Sequence, residues 1–242
     1  MNDAKIIAIT QPHVPHPEYD NGTLLTAEEF LAYTARVSNP SNQNNTLTAP
    51  KLLKYLIKNR HWSPFEMVSI TMEINTTRDI SHQIIRHRSF SFQEFSQRYA
   101  DPTKDMQFVT REARLQDAKN RQNSIETDDA SLQGSWNVWQ DGIASMSLKV
   151  YQKAIDRGIA KEQARAVLPE GLTSTRLYMA GTLRSWIHYI DVRAEAGTQK
   201  EHRLVALSAQ NEILRHFPSL EEYWYPQGRI EFTKTKPWWR FW

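Results

Sequence analysis

The chain has 242 residues, with 30 basic and 27 acidic side chains and no cysteine. This length is sufficient for one large domain with a full-sized core. The formal charge of +3 is too small for a surface that binds nucleic acid or membranes over its whole extent, so any positive field must be local. Without a thiol, the chain can form no disulfide, no thiolate metal site and no cysteine nucleophile.

We expect neither a membrane-spanning segment nor a secretory signal in this chain. No stretch approaches the ~20 apolar residues of a membrane span, and the start of the chain, MNDAKIIAIT, lacks the pattern of a signal peptide. We therefore expect a cytoplasmic protein, in the cytosol of a bacterium or, if a virus encodes it, of the host cell. The eight glycines form neither a Rossmann nor a P-loop pattern, so bound phosphates would have to meet side chains.

In the first half of the chain, the spacing of apolar residues predicts strands and helices in mixed order. The predicted elements are a strand at 5–10, helices at 26–38 and 50–60, a strand at 65–75, and a helical pattern at 76–88. Thr26 and Glu29 have the spacing of a capping box at the start of the first helix. Residues 89–99 are predicted to be extended, and a change of parity among their aromatics indicates a bulge or turn near Gln93.

The second half of the chain continues the mixed order. One amphipathic stripe, which we predict to be core, consists of Trp136, Trp139, Ile143, Met146 and Val150. The elements after it are a short helix at 161–169, a strand at 173–181, a helix at 182–197 closed by Gly197, and a helix at 199–218 with Val205, Ala209, Ile213 and Phe217 in register.

This order of elements predicts an α+β fold. We expect a single domain over 1–242 with a central, mostly antiparallel sheet flanked by helices. A C-terminal tail at about 227–242 ends in TKTKPWWRFW, which is too aromatic for a linker. We expect this tail to pack on its own chain or on a neighbouring subunit.

The segment RHRSFSFQEFSQRY begins with the basic triplet Arg86, His87 and Arg88. On a continuing helix these side chains would fan out by about 100° per residue, so either the helix ends there or the ligand is large. Arginine provides a fork for phosphate, serine a small donor, and glutamate an acceptor for a ribose hydroxyl, which together are typical of a nucleotide cradle. The alternative is a solvated helix end with ordinary surface ion pairs.

Further polar residues surround this triplet. Gln83 lies one turn before Arg86 and adds a neutral donor. In an extended segment Glu94, Ser96 and Arg98 would share one side, and Gln97 would face the other.

The remaining basic residues give weaker signals. Arg184 and His188 are spaced i,i+4 on one predicted helix, which fits a packed histidine beside a surface arginine as well as a ligand site. His61 alone indicates even less. His13 and His16, in HVPH, are separated by prolines and lack further clustered ligands, so we interpret them as loop residues and predict no metal site.

The segment at 86–99 resembles the signature of the flavin-dependent thymidylate synthases, in which RHR is followed by seven residues and a serine, here Ser96. The resemblance continues in HWSPFE, ARAVLP, LRSWIHY and DVRAEAGTQKE, and it covers roughly residues 50–215 in the family's order. Three positions depart from the family pattern. Gln93 and Thr182 stand where asparagine is common, and Gly197 stands where a histidine often occurs.

The resemblance implies reductive methylation of dUMP to dTMP. Methylenetetrahydrofolate would give the carbon, FAD would carry the hydride, and NADPH would reduce the FAD. The absent cysteine is consistent with this, because one route to an electron-rich C5 adds a thiolate at C6, whereas a flavin can deliver hydride instead. The family's active sites lie between subunits of a homotetramer, so the resemblance also implies that Arg86 and Arg88 can face different ligands.

The resemblance also implies roles for individual residues. Arg193 matches the family's arginine that contacts the pyrimidine edge, and it is our candidate catalytic residue. The candidate substrate-binding residues are Gln83, Ile84, Ile85, Arg86, Glu94, Phe95, Ser96, Gln97, Arg98, Arg165 and Arg193. The candidate cofactor-binding residues are His61, Ser63, Arg86, His87, Arg88, Glu94, Thr182, Leu183, Arg184 and His188.

Two alternatives remain open at this point. In the first, the protein is a nucleic-acid binding module, with Phe90, Phe92 and Phe95 as stacking platforms and the arginines on phosphates. The small net charge argues against it. In the second, the three departures have removed activity, and the chain binds dUMP without oxidising NADPH.

Overall fold

The structure, a computed structural model, describes residues 1–101 and 107–226. The aromatic tail predicted at about 227–242 lies outside the described residues. The strands are β1 (Asp3–Ile9), β2 (Ser69–Thr77), β3 (Ser91–Glu94), β4 (Arg114–Gln116), β5 (Ser124–Glu126) and β6 (Ser174–Thr182). The α-helices are α1 (Ala27–Ala35), α2 (Ala49–Lys58), α3 (Arg78–Ile84), α4 (Ala130–Asp156), α5 (Lys161–Ala164), α6 (Leu183–Arg193), α7 (Lys200–His216) and α8 (Glu221–Trp224).

The main sheet has four strands in the order β1-β2-β6-β3, and β4 and β5 form a separate antiparallel pair. β1 runs antiparallel to β2, because hydrogen bonds of 3.0 and 2.9 Å join Asn2 to Asn75 and Thr10 to Ser69. β2 and β6 are antiparallel for the same reason, since bonds at either end join positions 78 to 173 and 183 to 68. The predicted α+β class with an antiparallel sheet and flanking helices is confirmed.

The chain divides into two compact units. Unit 1 consists of Met1–Ala4, Glu73–Met179 and Arg193–Ala206, and unit 2 consists of Lys5–Met72, Ala180–Val192 and Leu207–Trp242, described up to residue 226. Strands β1, β2 and β6 each contribute residues to both units. The single domain expected over 1–242 stays a prediction.

Each unit has its own buried aromatic residues. In unit 2, Trp186 is fully buried and donates a hydrogen bond from Nε1 to the carbonyl of Ile70 at 3.1 Å, which satisfies its one polar atom. In unit 1, Tyr151 on α4 packs with Ala164 and Leu168. α4 therefore packs against the rest of unit 1 through the side of the helix that carries Tyr151.

Two local sequence predictions are confirmed. At the start of α1 the Thr26 hydroxyl accepts a bond from the Glu29 N–H at 3.2 Å, and the Glu29 carboxylate accepts one from the Thr26 N–H at 2.8 Å, forming the capping box. The apolar stripe predicted on α7 is fully buried at Val205, Ala209 and Ile213, and Phe217 directly after the helix is buried as well.

Several element boundaries differ from the prediction, and three of them bear on the site. The helix predicted over 76–88 ends at Ile84, and the helix predicted to close at Gly197 ends at Arg193. The extended segment predicted over 89–99 is a strand only at Ser91–Glu94. Its last bond to β6 runs from the Phe95 N–H to the Arg176 carbonyl at 2.9 Å, after which the chain turns.

Because of this turn, the polar side chains after β3 do not point in the directions that we predicted. The Tyr99 N–H bonds to the Ser96 carbonyl at 3.2 Å, so residues 96–99 form a turn and do not alternate between two sides. Gln97 is buried, whereas Arg98 is exposed. Glu94, Ser96 and Arg98 therefore do not share one side of an extended segment.

The apolar stripe of α4 is also not core within the described chain. Trp139, Ile143 and Met146 are 60%, 57% and 61% exposed, although we predicted that they are buried. The residues that α4 does bury, Ala144 and Tyr151 among them, lie on a different face, about 100° around the helix. Periodicity identified an apolar face but could not indicate which of two apolar faces packs against the same chain.

Candidate active site

The basic triplet lies directly after the end of α3. Because Ile84 is the last helical residue, Arg86 and Arg88 are on a turn and project as exposed side chains. Of the two alternatives left open by the sequence, the structure therefore has the one in which the helix ends. Among residues 1–101 and 107–226, neither arginine pairs with an acid, so both guanidinium groups are available to an anionic ligand.

Glu94 is held in a fixed orientation at the end of β3. Its Oε1 atom accepts bonds from Ser81 Oγ and Thr175 Oγ1, both at 2.9 Å, and Arg78 Nη1 lies 3.4 Å away. These donors come from α3 and β6, so two elements orient one carboxylate. Within the described chain no bond reaches Oε2, which leaves that oxygen for a ligand hydroxyl.

The turn after β3 approaches the segment that carries Arg165. Arg98 Nε lies 3.4 Å from Glu162 Oε2, and Lys161 Nζ donates to the Tyr99 carbonyl at 3.0 Å. Arg165 follows α5 directly and is half-buried. In this turn Ser96 Oγ accepts a bond from the Arg98 N–H at 3.4 Å, so its hydroxyl proton remains available for a ligand.

Arg193, the candidate catalytic residue, contacts the basic triplet directly. Its Nε donates to His87 Nε2 at 2.9 Å, so this nitrogen of His87 acts as the acceptor. With Nε fixed, the plane of the guanidinium is fixed, and its two terminal nitrogens remain for a ligand. Residues 106 positions apart are thus joined in one site.

A fully buried histidine that the sequence analysis did not identify lies beside this pair. The ring of His202 is 6.5 Å from that of His87 in an edge-to-face arrangement, and its Nδ1 lies 3.2 Å from Gln83 Oε1. Burial lowers the pKa of His202 to about 3, and the nearby Arg193 and His87 act in the same direction. His202 is therefore neutral at physiological pH.

The sequence analysis also missed two polar residues that connect to Gln83. Gln83 Nε2 donates to Gln199 Oε1 at 2.8 Å, and Gln199 Nε2 donates to Glu201 Oε2 at 3.0 Å. Glu201 is buried and forms an ion pair with Arg114. Burial raises the pKa of Glu201, but the hydrogen bond and the charge of Arg114 outweigh this, and the net pKa lies below its usual value.

In unit 2, two candidate flavin contacts share one acidic partner. Thr182 Oγ1 donates to Glu66 Oε2 at 3.0 Å, and Arg184 Nη1 donates to Glu66 Oε1 at 2.8 Å. Thr182 also accepts a bond from the Ser185 N–H at 3.3 Å, so it acts as an N-cap for α6. Asparagine caps equally well, so this departure from the family pattern keeps the local structure.

The other candidate residues differ in their accessibility. Ile84 and Leu183 are fully buried, so their side chains cannot reach a ligand, and the N–H of Leu183 already donates to the Val68 carbonyl at 2.8 Å. The exposed or partly exposed candidates are His61, Ser63, Ile85, Phe95 and His188. His188 is therefore not the packed histidine that its spacing also allowed.

The two remaining departures, Gln93 and Gly197, lie at accessible positions. Gln93 is exposed on β3, and Gly197 is exposed between α6 and α7. No heavy atom of the described residues lies within 4 Å of the place where a Cβ of Gly197 would stand, so packing there does not require glycine.

Three other sequence predictions concern metals, stacking and membranes. His16 is buried, with Nε2 3.3 Å from Glu29 Oε1, and no metal-binding group of three histidine or acidic side chains occurs among the described residues. The rings of Phe90, Phe92 and Phe95 are partly buried, which is unfavourable for open stacking platforms. No helix in the described part of the chain is long and apolar enough to cross a membrane.

Comparison with known proteins identifies the family. Residues 23–219 match the family model described as "Thymidylate synthase complementing protein". The chain is 47% identical over 217 residues to a "Probable flavin-dependent thymidylate synthase" of Paramecium bursaria Chlorella virus 1, covering 90% of this chain and 96% of that protein. The chain belongs to the flavin-dependent thymidylate synthase family. The resemblance predicted from the RHR signature is thereby confirmed.

A second relative supports this membership, and a solved structure shares the fold. A flavin-dependent thymidylate synthase of Synechocystis sp. is 48% identical over 218 residues, covering 90% of this chain and 97% of that protein. The crystal structure of a UMP/dUMP methylase, PolB, from Streptomyces cacaoi bound with 5-Br dUMP has a TM-score of 0.71 and 24% identity, covering 94% of this chain and 96% of that chain. At this identity the likeness concerns the fold.

Proposed function

We propose that this protein converts dUMP to dTMP by reductive methylation. In this proposal methylenetetrahydrofolate donates the carbon, and FAD that has been reduced by NADPH carries the hydride. The observation that carries the proposal is the bond between Arg193 and His87, which joins the candidate catalytic arginine to the RHR signature. Family membership and the names of the relatives, flavin-dependent thymidylate synthases, support it.

We assign the nucleotide to the polar residues of unit 1. Ser96 keeps a hydroxyl proton for the phosphate, and Arg165 lacks an acidic partner among the described residues. Arg98 is only weakly engaged by Glu162, since both side chains are at least half exposed. A phosphate with two negative charges would compete well for these donors.

The residues of unit 1 also fit a flavin dinucleotide. Arg86 and Arg88 are exposed cations without acidic partners in the described chain, which suits a pyrophosphate, and Glu94 Oε2 suits a ribitol or ribose hydroxyl. When bound, FAD supplies a hydride, which no amino-acid side chain can supply. In unit 2 the assignments of His61, Ser63, Thr182, Leu183, Arg184 and His188 to the cofactor remain part of the proposal.

The chemical role that we assign to Arg193 is electrostatic. Its Nη atoms would donate to the carbonyl edge of the pyrimidine, where negative charge develops as C5 becomes nucleophilic. Because His87 fixes Nε, the donors are oriented before the substrate binds, and little reorganisation is needed. No cysteine is present in the sequence to activate C6 by addition, so this stabilisation has greater weight.

We further propose that the enzyme is a homotetramer with sites between subunits, acting in the cytosol. The exposed apolar stripe of α4, which includes Trp139, Ile143 and Met146, supports self-association, because contiguous apolar surface of this kind is usually covered by a partner. Burial in an oligomer would explain why these residues are apolar.

The test is an anaerobic assay for dTMP with dUMP, methylenetetrahydrofolate, FAD and NADPH, in which each component is omitted in turn. We expect dTMP only in the complete mixture. If the protein binds dUMP and FAD but does not oxidise NADPH, the chain is an inactive family member. Binding of single-stranded nucleic acid that weakens steeply with salt, without dTMP formation, would instead support the binding module.

A further inference from the structure

The orientation of the Gln83 amide is determined by a chain of hydrogen bonds that ends on a buried carboxylate. The chain runs from Gln83 Nε2 to Gln199 Oε1 at 2.8 Å and from Gln199 Nε2 to Glu201 Oε2 at 3.0 Å. On the other side of Gln83, its Oε1 lies 3.2 Å from His202 Nδ1. All four residues belong to unit 1.

The direction of every bond in this chain follows from the charge on Glu201. A carboxylate can only accept, so Gln199 must present its NH₂ group to Glu201 and its oxygen to Gln83. Gln83 must then present its own NH₂ group to Gln199 and its oxygen to His202. Arg114, paired with the other carboxylate oxygen, keeps Glu201 ionised in its buried position.

The same chain determines which nitrogen of His202 carries the proton. Since Gln83 offers an oxygen, Nδ1 of His202 must be protonated to make a bond at 3.2 Å. The ring is neutral because of its burial and the positive charge of Arg193, so Nε2 carries no proton. A reversed Gln83 amide would place its NH₂ group against the N–H of His202, which would be repulsive. Both neighbours of Gln83 therefore oppose a flip of its amide.

We propose that Gln199 and Glu201 are positioning residues that lock the Gln83 amide in one orientation, so that it distinguishes uracil from cytosine. This inference rests on the proposed function and on Gln83 as a candidate substrate-binding residue, which we here place beside the pyrimidine. After its bonds in the described chain, Gln83 retains one N–H and one lone pair. Uracil has a donor at N3 and an acceptor at position 4, whereas cytosine has an acceptor and a donor there. A locked amide matches only one of these patterns, and a free amide can rotate to match either.

The test compares dUMP and dCMP binding to the full-length, FAD-loaded protein by isothermal titration calorimetry. Gln199→Met breaks the series of hydrogen bonds at its centre and leaves the Glu201–Arg114 pair intact. Glu201→Gln replaces the acceptor by an amide that can face either way. For both variants we expect the ratio of the two dissociation constants to shrink about tenfold, chiefly because dCMP binds more tightly.

The matched control is Gln122→Met. Gln122 lines the same cavity as Gln199, is exposed, and takes no part in the hydrogen bonds between Gln83 and Glu201. It should keep the wild-type ratio. The inference is overturned if Gln199→Met and Glu201→Gln retain FAD and also keep the wild-type ratio, since a merely structural role would weaken both nucleotides equally. If wild-type protein binds no dUMP, the proposed function fails first, and the inference falls with it.

Discussion

Two regions of unit 1 reverse the usual distribution of polar and apolar side chains. Around Gln83, the charged or titratable residues Glu201 and His202 are 7% and 0% exposed. On α4, Trp139 and Met146 are 60% and 61% exposed. A folded protein normally buries apolar residues such as those on α4 and exposes charged or titratable residues such as those around Gln83.

The two regions differ in whether the reversal is compensated within the chain. The buried polar groups bond to one another from Arg114 through Gln199 to His202, so their loss of hydration is offset. The apolar stripe of α4 has no such cover in the described residues. We propose on this basis that the first region binds a ligand and that the second contacts another molecule.

The largest expected effect comes from removing the guanidinium beside the buried polar region. Arg193→Ala should lower the rate of dTMP formation by about 10³-fold, because the developing charge on the pyrimidine loses its oriented donors. Flavin absorbance of the purified protein should be unchanged, since Arg193 is not among the candidate flavin contacts. Arg157→Ala, at the exposed end of α4, is the control and should keep full activity. Normal dTMP formation by Arg193→Ala would show that another residue has the catalytic role.

The next effect concerns the exposed apolar stripe. Trp139→Asp should weaken self-association about 30-fold or more, because a buried tryptophan at an interface commonly contributes about 2 kcal/mol or more. Sedimentation velocity over a range of protein concentrations measures this. Asn137→Asp adds the same charge about 160° around the helix from Trp139 and should leave the assembly intact. If both variants sediment like the wild type, the stripe is not the subunit contact.

The smallest effect is the dependence of stability on pH caused by His202. Its pKa is about 3 in the folded protein and 6.5 in the unfolded chain, so only the unfolded chain gains a proton as the pH falls through this window. The free energy of unfolding should therefore fall by up to ~1.4 kcal/mol per pH unit below about pH 6. His202→Asn lacks this contribution, although it keeps a donor for Gln83.

Urea unfolding of wild type and His202→Asn at about pH 7 and about pH 5 gives the free energy of unfolding of each protein at both pH values. The two proteins are then compared in how steeply this free energy changes with pH. Glu201 and Asp79, whose pKa values are both lowered, also destabilise the folded state as the pH falls, but they do so in both proteins. Equal slopes would mean that His202 is not held neutral by its surroundings.

Features that depend on local spacing could be predicted from the amino-acid sequence. The capping box of α1 and the buried stripe of α7 require only residues within a few turns of one another, so both were predicted correctly. The RHR signature is likewise contiguous, and the family resemblance that it indicated, together with four further segments, is confirmed by the comparisons. Even here the ends of α3 and β3 were misplaced, and the end of β3 depends on where its pairing with β6 stops.

Features that depend on contacts between distant segments became visible only in the folded chain. His202 falls within the helix predicted over 199–218, where spacing does not reveal its protonation state, and its neutrality follows from burial beside Gln83, 119 positions earlier in the chain. The orientation of Glu94 depends in the same way on Thr175, 81 positions later. For α4, the period of apolar residues was correct, but which face packs was decided by Tyr151 and its neighbours. Hydrogen-bond direction, pKa and burial are set by what surrounds a group in space, and sequence spacing does not contain that information.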